Sequence, residues 1–263
     1  MEYVAFAADV ARAAGEILNY YAARDKRVEH KGRANLVTVA DRESEALIIR
    51  EIHARYPNHT ILAEESGLVD SSSKAPDPDR WIIDPLDGTT NYAHQFPMYS
   101  VSVGFERSGK MLCGAVYDPV RDEMFTGSRG SGAFLNGEPV LVSGVSSLSE
   151  GLLLTGFPYD FWERVDRALD LFRSFLVSSQ AVRRAGSAAL DLCYIACGRS
   201  DGFWELDLAP WDTAAGLVIA EEAGGRVTDF SGTPFSIYSR EILASNGAIH
   251  EEMMAAIANA DSG

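Results

Sequence analysis

Apolar residues Tyr3, Ala7, Val10, Ala14, Ile17 and Tyr21 recur at three- and four-residue steps, which predicts an amphipathic helix at the start of the chain. A second helix is expected from near Asp41 to about Tyr56, with Leu47, Ile48 and Ile52 on its apolar face and Pro57-Asn58 as its stop. Between the two helices, His30 and Lys31-Gly32 read as a loop. Thr60–Ala63 is a short β-rich run that delivers Glu64 and Glu65. Pro76–Arg80 is a polar loop, and Trp81–Ile83 a short apolar strand that ends at Asp84. Val101–Phe105, Leu112–Tyr117 and Glu123–Thr126 continue as strands, the last two flanking an Asp118-Pro119 turn. Gly127, Gly130, Gly132 and Gly137 mark further turns.

After about residue 145 strand and helix patterns alternate. Strands are expected at Leu152–Thr155, Gln180–Arg183, Gly202–Glu205, Arg226–Asp229 and Ile242–Ala244. Helices are expected at Phe161–Phe175, Ala188–Cys197, Trp211–Ala223 and Ile249–Ala258, with Trp162, Phe172 and Phe175 as core of the first. The chain therefore reads as an α+β half over residues 1–145 joined to an α/β half over 146–263.

Composition narrows the class. With 263 residues, 46% hydrophobic and 23% charged, the chain can bury a sizeable core and is not a disordered polymer. No run approaches a transmembrane helix, and the start has no continuous apolar stretch of the signal-peptide kind. Cys113, Cys193 and Cys197 are odd in number and lack framework spacing, so a reducing cytoplasm is expected. The formal charge of −15 repels nucleic acid and anionic membrane at long range. It would repel a phosphorylated substrate too, unless cations sit in the site.

The chemistry centres on Asp84-Pro85-Leu86-Asp87-Gly88-Thr89-Thr90-Asn91, two carboxylates three apart at the end of an apolar strand. Pro85 and Gly88 bend the backbone so that both carboxylates and the Leu86 carbonyl can converge. Thr89 and Thr90 then fall near a helix start, where free N–H groups favour an anion. Taken alone, the octapeptide is as compatible with an Asp-capped surface turn. Phosphatases that form an aspartyl-phosphate space their two aspartates two apart, so a water nucleophile held by metal fits this spacing better. Glu64, in Glu64-Glu65-Ser66-Gly67, and Asp212, in Ala209-Pro210-Trp211-Asp212, add carboxylates from distant stretches. Taken alone, Glu64 reads more readily as a solvated loop residue and Asp212 as an ordinary helix N-terminal acid. Four carboxylates in one pocket would demand cations, and oxygen donors without His or Cys point to Mg²⁺. His53, His59, His94 and His250 lack ligand spacing and are assigned no chemistry.

Glu64-Glu65-Ser66, then Trp81 to Asn91, then Trp211-Asp212 together resemble the signature of the inositol monophosphatase family. That family belongs to a lithium-sensitive phosphatase superfamily that also holds fructose-1,6-bisphosphatases. The resemblance implies a layered αβαβα sandwich, a homodimer, and two or three Mg²⁺ per active site. It assigns Glu64, Asp84, Leu86 (by its carbonyl), Asp87 and Asp212 as metal ligands. It places Thr89 on the nucleophilic water, with Asp41 as the acid paired to Thr89; Asp41 also reads as a helix N-cap. Gly88, Thr89 and Thr90 are expected at the phosphate, with Asp87 beside them. Gly186, Ser187, Ala188 and Glu205 are expected along the ring of the leaving group. Arg183 and Arg184 flank that segment, and their type fits substrate, a subunit contact or plain solvation. The implied reaction is in-line attack of a metal-activated water on a phosphate monoester such as inositol monophosphate. Fructose-1,6-bisphosphate, a 3′-phosphonucleotide or histidinol phosphate are alternative substrates. A regulatory, partner-binding protein that keeps the fold is the alternative of another class. The loop holding His30 to Gly32 is expected to cover the site.

Overall fold

A computed structural model describes residues 2–22, 24, 28–30, 36–69, 79–157 and 165–260. The chain opens with α1 (Glu2–Ala22), a short pair β1 (Val28–His30) and β2 (Leu36–Thr38), and α2 (Val39–Arg55). Next come β3 (Thr60–Ala63), β4 (Gly67–Val69), β5 (Arg80–Asp87) and the single turn α3 (Thr89–Ala93). A meander follows: β6 (Ser100–Arg107), β7 (Lys110–Asp118), β8 (Glu123–Ser128), β9 (Gly132–Leu135) and β10 (Glu138–Val140). The remainder runs β11 (Leu152–Thr155), α4 (Val165–Ser178), β12 (Ala181–Arg183), α5 (Ala188–Ala196) and β13 (Gly202–Leu206). It ends with α6 (Pro210–Glu222), β14 (Arg226–Thr228), β15 (Glu241–Ser245) and α7 (His250–Ala260).

The strands form an eight-stranded sheet ordered β10-β9-β8-β7-β6-β5-β3-β4 and a five-stranded sheet ordered β12-β11-β13-β15-β14. α1 and α2 cover the outer face of the larger sheet, and α5 and α6 lie between the two sheets. α4 and α7 close the far side, where Trp204 of β13 stacks on Phe175 of α4 with ring centroids 4.0 Å apart. The result is the expected five-layer αβαβα sandwich.

The register explains how a sheet can be buried on both faces. Val101, Val103 and Phe105 of β6 point into the core beneath α1 and α2. The opposite face is built from small residues. A Cβ added to Gly114 of β7 would stand 2.4 Å from the Ala215 backbone, and one on Gly104 or Gly127 would press on Ala214 or Ile219. This trough lets α6 lie close against the sheet, and that seats the N-terminus of α6 beside the end of β5.

Several expectations are corrected. The Trp81 strand does not end at Asp84 but runs on to Asp87, because the neighbouring β6 keeps pairing with it. The glycine-punctuated stretch after Gly127 carries strands β9 and β10, held by hairpin pairing that isolated glycines conceal. His30 lies in strand β1, paired with Leu36, rather than in a loop. Alternation yields parallel pairing only among β12, β11 and β13, while β15 and β14 run antiparallel. Ile17 of α1 is only partly buried and Leu18 takes the core position. Lys31-Gly32, most of the Pro76–Arg80 loop and Trp162 lie outside the described residues.

Candidate active site

On an undisturbed strand, residues three apart face opposite sides. In β5, Asp84 is opposite Ser102 and Asp87 opposite Ser100, so three steps on one strand match two on its neighbour. The extra residue is a β-bulge. Pro85, which has no N–H to give, is tolerated where the ladder is interrupted. The bulge restores both carboxylates to one side. Asp212, three residues into the start of α6, completes a trio whose carboxylate oxygens lie within 4.8 Å of one another.

Each carboxylate is anchored by backbone. Leu86 N–H donates to Asp84 Oδ1 at 2.9 Å, and Ala209 N–H to Asp212 Oδ2 at 2.7 Å. Asp87 Oδ2 accepts from Ser187 Oγ at 2.6 Å and Ala189 N–H at 2.9 Å, so it caps the start of α5 across the layers. Ser187 stands at the N-cap position of α5 and its hydroxyl serves Asp87. Glu64, on the turn after β3, lines the same cleft outside the tight trio.

The electrostatics follow from this crowding. Burial, then the charges of Glu64, Asp87 and Asp212, push Asp84 well above the usual carboxylate range. Burial and Asp87 do the same to Asp212. Asp87 is pushed up by burial to about 6, moderated by its hydrogen bonds from Ser187 and Ala189. Like charges held this close, with oxygen donors only, fit a hard divalent cation. The residues present can therefore hold a metal ion.

Behind the trio stands a second polar pair. Thr89 Oγ1 lies 3.3 Å from Asp41 Oδ1 and 3.1 Å from the Leu86 carbonyl oxygen. Asp41 does not line the cleft; it is fully buried beneath Thr89. Its other oxygen, Oδ2, accepts from the backbone N–H and hydroxyl of Thr38, the true N-cap of α2. Asp41 is therefore not the expected N-cap but the third helical residue, closing the capping box with Thr38 while it faces Thr89. Burial raises it to about 6 against those hydrogen bonds.

The cleft encloses about 250 Å³ and is lined by every expected site residue except Asp41. Gly88 (φ 96°), Thr89 and Thr90 line the cleft with the trio, as do Gly186, Ser187, Ala188 and Glu205. Burial, with the charge of Asp87, raises Glu205 to about 8, and Arg184 opposes that shift. Three contributors were not foreseen. Asn91 donates its amide to the Met98 carbonyl at 2.7 Å and the Ala185 carbonyl at 2.8 Å, clamping α3 to the segment before α5. It lay inside the octapeptide, but Ala185 is 94 positions away in sequence. Gly156 makes room for Glu205: a Cβ there would stand 2.1 Å from Glu205 Oε1. Phe157 forms a wall with Arg184, whose guanidinium carbon is 5.6 Å from the ring centroid. Arg184 lines the cleft, and Arg183 is exposed with no place in its lining.

The family model described as "Inositol monophosphatase family" matches residues 1–262. This chain belongs to the inositol monophosphatase family. It is accordingly a phosphatase. It is 46% identical to the inositol-1-monophosphatase of Synechocystis sp. over 89% of this chain and 80% of that protein. It is 41% identical to the Nus factor SuhB of Pseudomonas aeruginosa over 94% of this chain and 92% of that protein. The structure of inositol monophosphatase from Anabaena (Nostoc) sp. PCC 7120 superposes with a TM-score of 0.89 at 44% identity, covering 98% of this chain and 96% of the other. Among the described residues, no helix of this family member is long and apolar enough to cross a membrane.

Proposed function

We propose that this phosphatase hydrolyses a small polyol monophosphate, inositol monophosphate first, with two or three Mg²⁺ held by Glu64, Asp84, the Leu86 carbonyl, Asp87 and Asp212. The observation that carries this reading is the trio of carboxylates packed within 4.8 Å at the floor of a cleft. Bound divalent ions supply charge neutralisation at phosphoryl oxygens and acidify water. The chain's own residues do the rest. Gly88, Thr89 and Thr90 flank the phosphate beside the trio. Thr89 Oγ accepts a hydrogen bond from the attacking water and donates to Asp41. Asp41, raised to about 6, is suited to receive a proton near neutral pH. The water oxygen bonds to phosphorus as the phosphorus–alkoxide bond breaks; the water's proton passes through Thr89 to Asp41, and the departing alkoxide takes a proton from solvent water, giving inorganic phosphate and the alcohol.

The leaving group lies against Gly186, Ser187, Ala188 and Glu205. A carboxyl at this end favours hydroxyl donors over a second phosphate. That supports a polyol monophosphate over fructose-1,6-bisphosphate, and the name of the Synechocystis relative supports inositol. Phosphate release should be measured with Mg²⁺ on inositol monophosphate, fructose-1,6-bisphosphate, a 3′-phosphonucleotide and histidinol phosphate. Inositol monophosphate is expected to give the highest kcat/KM, chelation by EDTA to abolish turnover, and lithium to inhibit. Preference for the bisphosphate, or activity indifferent to EDTA, would overturn the assignment.

A regulatory role is the second reading, favoured by the name of the P. aeruginosa relative. All the ligand carboxylates are intact in this chain, so such a role would stand beside hydrolysis. A cytoplasmic homodimer completes the proposal. Exposed Leu169, Leu176 and Val177 on α4 support self-association, which light scattering measures.

A further inference from the structure

The polar side of a surface helix normally faces water. In α2 three polar residues of one face, Asp41, Ser44 and Glu45, are instead 0%, 0% and 3% exposed. Each reaches a different segment of the site. Asp41 meets Thr89 at 3.3 Å. Ser44 Oγ donates to the Pro85 carbonyl at 3.0 Å, inside the β-bulge between Asp84 and Asp87. Glu45 Oε2 accepts from Glu65 N–H at 2.9 Å, and Glu45 Oε1 from the Ser66 hydroxyl. Both Glu45 partners lie in the turn directly after Glu64.

We infer that Glu45, assisted by Ser44, is a positioning residue for metal binding: it fixes the Glu64 turn, and Ser44 the Asp84 bulge, at the spacing one cation cluster requires. This rests on the metal reading given above. The physical case is one of rigidity. Glu64 stands on a two-sided turn between β3 and β4, and β4 is an edge strand. A turn at a sheet edge is free to shift unless tied down. One buried carboxylate accepts two hydrogen bonds from the turn and so ties it to α2, and the same helix face ties the bulge. The β3–β5 ladder sets the two ligand-bearing segments side by side up to Ala63 and Ile83, and the α2 face holds them beyond it, at the Glu64 turn and the Asp84–Asp87 bulge. Neither Glu45 nor Ser44 lines the cleft, so both act through the residues they hold.

The test measures binding of Mg²⁺ and Mn²⁺ by calorimetry on the whole chain, without substrate, beside thermal unfolding. Residues that orient metal ligands typically contribute about 10- to 100-fold in affinity. Glu45→Gln, which sets an amide against a donor, is expected to weaken binding about tenfold, and Glu45→Asp to restore part of it. Glu64→Gln should weaken binding too, and adding Glu45→Gln to it should bring little further loss, because the two act on one ligand. Should Glu45→Gln fail to fold, Ser66→Ala removes one of the same hydrogen bonds at an exposed residue. A severalfold loss there supports the proposal. Unchanged metal affinity with a lowered Tm in either variant would show a merely structural role and overturn it. A wild-type protein that binds neither ion would overturn the metal reading itself, an outcome distinct from variants that bind normally.

Discussion

Asp84 is buried and surrounded by three other acids, so its charge costs folding energy whenever no cation is bound. Asp84→Asn should act in two directions. With Mg²⁺ it should lower kcat/KM by at least about a hundredfold, since partners one shell further out already contribute about 10- to 100-fold. In EDTA the same variant should melt above wild type, because a repelling charge is gone. A variant that keeps its phosphate release would remove Asp84 from the proposed ligand set. Gly156 tests the leaving-group side. Gly156→Ala would drive a methyl into the Glu205 carboxylate. A buried hydrogen-bond partner left unsatisfied costs about 1–3 kcal/mol, so KM for inositol monophosphate should rise about tenfold with kcat less affected. Unchanged KM would detach Glu205 from the substrate. At this scale the carboxylates were legible from residue type and order, whereas Gly156 was not: a glycine after a strand shows no sign of the glutamate 49 positions away that needs its space.

At the scale of elements, the acids sit at helix starts, strand ends and a bulge, where backbone N–H groups are available to hold them. That arrangement also sets the pH response of the metal-free protein. Burial raises Glu205 to about 8 and Asp84 higher than an ordinary carboxylate. The folded state then binds protons that the unfolded chain has already released. Stability contributed by these groups is complete below the unfolded value and is lost as pH rises through the folded one. His250, lowered by burial to about 4, adds stability as the unfolded imidazole loses its proton around pH 6.5, and is neutral in both states above about pH 7.5. In EDTA, Tm should therefore fall above about pH 7.5, through the Glu205 value of about 8, less steeply in Glu205→Gln, and saturating Mg²⁺ should flatten the slope. A metal-free Tm that rises over this range would contradict the burial of these acids. Element periods were readable in advance, and helix and strand positions largely match. The inward polar face of α2 was not: Asp41 was matched to Thr89 only through the family resemblance, and Ser44 and Glu45 look like the outer side of any amphipathic helix until their partners are known.

At the scale of the whole molecule, the site exists because α6 lies in a trough of small residues across β6, β7 and β8. Gly114→Ala would push α6 off the sheet by its backbone contact at Ala215. Overpacking of this kind costs about 1–3 kcal/mol, or roughly 5 °C in a chain of this size. Asp212, at the start of the same helix, should shift with it, so Mg²⁺ affinity should fall along with Tm. Gly144→Ala, where an added Cβ meets nothing within 4 Å, is the matched control and should change neither. Equal behaviour of the two variants would show that close packing of α6 does not set the site.

The sequence by itself determined what depends on neighbours a few residues apart. Helical and strand periods, the acids at the ends of apolar runs, and the Asp84 to Asn91 motif all belong to that class. Tertiary structure alone decided which distant groups share a volume. A single inserted residue in β5 turned Asp84 and Asp87 to one side, and a glycine trough brought Asp212 to them. Burial then moved their proton affinities, because the cost of a charge depends on everything packed around it rather than on the residues beside it in the chain.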